Sequence, residues 1–103
     1  MARLSVAALD ALIADATVDC YGEDEQVLGL YTMMVEELTL PFTTVVLGVE
    51  VTVEELDLTG RSHIVARCSR GKFRQAISVL DLPLPTPPPP GAQWIEAYRR
   101  WAA

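Results

Sequence analysis

Two adjacent glutamates, Glu36 and Glu37, stand where local electrostatics disfavours them. They fall near the end of a segment in which Val27, Leu28, Tyr31, Met34, Val35 and Leu38 recur at helical spacing. The last turn of a helix carries unsatisfied carbonyls and the negative end of the dipole, so two carboxylates there repel that field and each other. On an exposed surface each such effect is worth a few tenths of a kcal/mol to about 1 kcal/mol. A hard cation reverses the sign. Calcium takes roughly six to eight oxygen ligands. Glu36 and Glu37 can offer side-chain oxygens, and a proline-stopped loop over residues 38–43, with Leu38, Leu40 and Thr43, can offer backbone carbonyls. The alternative is that both glutamates face water and pair with a basic side chain.

The other acidic groups have more ordinary explanations. Glu23, Asp24 and Glu25 lie at the start of the same helix, where negative charge complements the dipole. They are also the candidates for a second, weaker ion. Asp81 follows a strand pattern and precedes Leu82-Pro83-Leu84-Pro85, a rigid corner, so it is either a ligand or a turn-capping acceptor. Glu50 and Glu54 fall on the polar face of a strand. An EF-hand loop is absent: counted from Asp15, Cys20 stands where glycine is required and Gln26 where a bidentate glutamate is required.

Catalytic constellations are missing from the sequence. There is no Gly-rich phosphate loop, no nucleophile elbow and no HExxH. His63 is the only histidine and lies in a strand pattern. With Cys20 and Cys68 isolated from each other, the spacing of a zinc site is not met either. The sequence therefore reads as a binding protein, not an enzyme.

The 103 residues suit one domain, 1–103, and half of them are hydrophobic, enough to bury a core without staples. Fourteen Asp and Glu against eight Lys and Arg give a formal charge of −6. That balance argues against nucleic acid and against anionic membrane surfaces. The opening residues lack the apolar core of a signal peptide, and no apolar run reaches the length of a membrane span. A cytoplasmic monomer with both thiols reduced is the expectation.

The elements that must position these groups form an α+β pattern. Ser5 can cap a first helix through Val6, Leu9, Leu12 and Ile13, ending near Ala16. The second helix ends before Pro41. Alternation from Val45 to Val53 predicts one long strand, bent or bulged at Gly48, with a further irregularity near Glu54-Glu55 where the apolar parity shifts. Thr59-Gly60 makes a turn, His63 to Cys68 a strand, Ser69-Arg70-Gly71-Lys72 a tight hairpin, and Phe73 to Leu80 the returning strand. The run from Leu82 to Pro90 must be extended. Trp94, Ile95, Tyr98 and Trp101 then form the apolar face of a short C-terminal helix. Short strands joined by tight turns predict a small curved antiparallel sheet, preferably an SH3-like barrel, with two N-terminal helices; an open sheet covered by helices is the alternative.

Several stretches together carry a family resemblance. They are Val18-Asp19-Cys20-Tyr21-Gly22, Glu25-Gln26-Val27-Leu28-Gly29, Tyr31-Thr32-Met33-Met34, Leu40-Pro41-Phe42 and Val46-Leu47-Gly48-Val49. They continue with Cys68-Ser69-Arg70-Gly71, Leu80-Asp81-Leu82-Pro83-Leu84-Pro85 and Trp94-Ile95-Glu96-Ala97-Tyr98-Arg99-Arg100-Trp101. In order and spacing the chain resembles the cyanobacterial calcium-binding protein family, CcbP, from about residue 17 to 101. The resemblance implies an acidic protein that binds calcium without EF-hands and helps set free cytosolic calcium, a role linked in that family to heterocyst differentiation. It also implies a site built on an acidic residue just before a Leu-Pro-Phe loop, which matches Glu37 or Glu36. The leading expectation is thus a non-EF-hand calcium buffer or sensor. An SH3-like protein-interaction module without calcium dependence is the alternative.

Overall fold

The computed structural model describes residues 4–60 and 62–103. Helix α1 (Val6–Ala16) starts where the extended Ser5 accepts the Ala8 N–H at 3.1 Å. It stops at Thr17, whose N–H and hydroxyl both donate to the Ile13 carbonyl. Helix α2 (Glu23–Glu37) buries Val27, Leu30 and Met34, and Leu38 continues that line past its end. Leu28 and Val35, expected on the buried face, are instead 51% and 53% exposed. They lie on one flank of a narrower stripe, and Leu30 takes their place in the core.

Strands β1 (Phe42–Val46), β2 (Val49–Leu58), β3 (Ile64–Arg70) and β4 (Phe73–Ser78) form an antiparallel meander in chain order. The sheet is not closed: β1 and β4 are its two edges, so the expected barrel is replaced by an open sheet. The single strand expected from Val45 to Val53 is also two strands. Leu47 (φ 50°) and Gly48 (φ 80°) make a two-residue turn, and Val46 pairs with Val49 across it. Two consecutive positive φ values give the turn whose twist matches the flanking strands. Its usual first residue is Asn, Asp or Gly, so a leucine there conceals the hairpin in the sequence.

The second irregularity is where the parity shift puts it. Val53 pairs with Cys68 and Glu55 with Arg67, leaving Glu54 as the extra residue of a bulge. Leu56 therefore faces inward together with Val53. Their cross-strand partners Cys68 and Ala66 are buried too, as is Ile64 further along β3, and this face packs into one core with Leu30 and Met34 of α2.

Past Ser78 the chain leaves the sheet in a 3-10 turn, Val79–Asp81, instead of continuing the strand to Leu80. Helix α3 (Gln93–Ala102) closes the core with Trp94, Ile95, Ala97 and Tyr98. Trp101 stacks on Tyr98 with ring centroids 6.0 Å apart, and its indole N–H donates to Gln26 of α2 at 2.8 Å. Between the 3-10 turn and α3, the proline-rich segment is pinned beside β1. The Thr44 hydroxyl, on a side chain that is buried, donates to the Pro83 carbonyl at 2.6 Å. Among the described residues no helix is long and apolar enough to cross a membrane.

Candidate functional site

Helix α2 ends because Leu38 turns extended (φ −76°, ψ 124°) while its N–H still donates to Met34 at 2.9 Å. The next N–H, of Thr39, donates to the Pro90 carbonyl at 2.9 Å. It does not return to Val35, so that carbonyl lacks the bond a continuing helix would give it. Glu36 and Glu37 lie in this last turn, both exposed, and the turn holds no basic residue. Among the described residues neither glutamate takes part in an ion pair.

The proline-rich segment straps this helix end. Gly91, at φ 91°, lies so close that a Cβ on it would run into the Glu37 carbonyl and the Leu38 Cα. Only glycine supplies both the conformation and the space.

The remaining expected ligands are dispersed. The Leu38 side chain is in the core and Leu40 is half-buried before Pro41. Thr43 is no loop residue: β1 begins at Phe42, and Thr43 is an exposed strand position opposite Thr52. The loop is therefore only residues 38–41. Asp81 is exposed at the end of the 3-10 turn, with its charge acting on Arg99 of α3. Arg99 donates to the carbonyls of Val79 and Leu82, clamping that turn, and burial lowers its pKa despite the favourable charges of Glu96 and Asp81. Glu25 accepts the Tyr21 N–H at 3.0 Å, a capping role. Glu23 and Asp24 line an open depression shared with Ser62, His63, Leu80 and Trp101. Among the described residues no three His, Cys, Asp or Glu side chains converge as a metal-holding group.

At the α2 end, Glu36 and Glu37 are therefore the two exposed carboxylates, and among the described residues no third acidic, His or Cys side chain joins them. Sequence reasoning missed Pro90 and Gly91, which strap the end of α2. The glycine after four prolines was the available signal, since a positive φ favours glycine, but nothing local points to its contact with Glu37.

No known protein family, curated protein or solved structure matches the chain.

Proposed function

We propose that the chain binds calcium at the C-terminal end of α2 and acts as a non-EF-hand buffer or sensor. The observation that supports this best is the pair of exposed, adjacent carboxylates, Glu36 and Glu37, at a negative dipole end that has no basic residue in its turn. The resemblance to the CcbP family points the same way. Calcium binding would relieve the repulsion and add oxygen ligands from Glu36, Glu37 and the short loop that follows. Calorimetric titration in low-magnesium buffer is the test. Heat uptake or release together with a rise in Tm at millimolar calcium is expected, and neither at that concentration rejects the proposal. Glu36→Gln with Glu37→Gln weakens binding on the order of tenfold, as charge count among the ligands falls. Affinity drops as pH falls, because protons compete for the same oxygens.

A calcium-independent protein-interaction module is the second reading. The feature in its favour is the open edge of β4, whose residues Phe73, Arg74, Gln75 and Ala76 are all exposed. It predicts a partner retained equally well with calcium and with chelator.

A further inference from the structure

Leu47 and Phe73 break the pattern of the surface. Leu47 is 99% exposed and Phe73 72% exposed. The Leu47 side chain contributes nothing to the core, and its backbone sits at φ 50°, a region that Asn, Asp or Gly enters far more readily. Hydration and conformation both disfavour this leucine, so the fold does not account for it.

The sheet register sets the two residues at one end. Thr52 of β2 faces Ser69 of β3, so the start of β2 and the end of β3 coincide. The Arg70 guanidinium donates to the Glu50 carbonyl at 3.1 Å, tying the two turns together. Leu47-Gly48 and Gly71-Lys72 are thus neighbouring tips, flanked by the exposed Val45 and Val49.

Charge at this end differs from the charge of the whole. The tip residues 45–50 and 69–74 hold Arg70, Lys72 and Arg74 against Glu50. Arg67 is paired with Glu55 and Asp57, and Arg74 with Glu54. Arg70 and Lys72, at the tip, enter no ion pair among the described residues. The net charge of −6 opposes anionic surfaces at long range, but beyond about 8–10 Å that field is screened at physiological salt.

We propose that the paired hairpin tips dock on an anionic lipid surface. Leu47 and Phe73 enter the boundary between headgroups and acyl chains, and Arg70 and Lys72 meet the lipid phosphates. Leu47 stands in its turn and Phe73 at the first position of β4, and the basic Arg70 and Lys72 beside them complement an anionic surface. With so few anchoring groups the association is reversible.

Co-sedimentation with phosphatidylcholine vesicles, with and without phosphatidylserine, tests this on the full chain. Binding to the phosphatidylserine vesicles is expected at low salt, with loss at high salt. Leu47→Asn weakens partition about tenfold, the equivalent of one leucine no longer buried. The same variant keeps or raises Tm, because asparagine tolerates the positive φ. Arg70→Ala with Lys72→Ala removes the preference for the anionic lipid. The proposal is overturned by absence of binding at low salt, by equal binding of Leu47→Asn, or by equal binding to both vesicle types. Concentration-dependent self-association that Leu47→Asn abolishes would instead put a second copy on the tips.

Discussion

The chain reverses at two glycines of positive φ, Gly91 and Gly48, and their surroundings are opposite. A Cβ on Gly91 would strike backbone of the α2 end, whereas a Cβ on Gly48 would meet nothing within 4 Å. Gly48 serves a turn defined by its own four residues. Gly91 serves a contact between segments more than fifty residues apart, and that contact is what fixes the end of α2 where Glu36 and Glu37 lie. One residue type thus meets a local requirement in one place and a tertiary one in the other.

Substitution separates the two cases. Gly91→Ala combines backbone strain with a backbone clash and is expected to cost about 3 kcal/mol, read from urea unfolding. If calcium binds at the α2 end, the same change also weakens calcium binding, whereas Gly48→Ala leaves it intact. Thr44→Val keeps the strand and its shape but leaves the Pro83 carbonyl without its donor, for a loss of about 1–2 kcal/mol. A smaller loss would mean that the strap is held mainly at Pro90 and Gly91. Gly48→Ala costs only about 1 kcal/mol, the conformational penalty alone.

The smallest effects are in pH. The hydrogen bond from Arg67, then that from the Leu58 N–H, holds the Asp57 carboxyl below its ordinary pKa. Its contribution is present above the unfolded value and is lost as pH falls through the lowered folded one. Asp57 is exposed, so the change is slight, and Asp57→Asn should flatten the acid side of the Tm profile. Tyr31 behaves oppositely. Burial first, then the charges of Asp57 and Glu55, raises its pKa, and its hydroxyl donates to the Leu56 carbonyl at 3.3 Å. Its contribution is present below the unfolded tyrosine value and is lost as pH rises through the raised one. Tyr31→Phe should flatten the alkaline side.

Patterns carried within a few residues were legible in advance. Ser5 as a cap, the end of α1, the irregularity near Glu54-Glu55 and the aromatic face of α3 all follow from local spacing and parity, and the hairpin expected at Ser69-Arg70-Gly71-Lys72 is present with its turn narrowed to Gly71-Lys72. The hairpin at Leu47-Gly48 was not legible, because leucine gives no turn signal and the alternation of valines continues through it. Of the candidate site, the placement of Glu36 and Glu37 in a last helical turn was legible. The shortening of the loop to residues 38–41 was not, nor was the separate attachment of Asp81 beside Arg99.

The sequence by itself determined the α+β composition and the unfavourable position of two carboxylates, because periodicity, capping and dipole sign act over a few residues. Tertiary structure decided that the sheet stays open, that Pro90 and Gly91 strap the end of α2, and that Leu47 and Phe73 share one end of the sheet. Those outcomes depend on strand register and on contacts between distant segments, which no local pattern encodes.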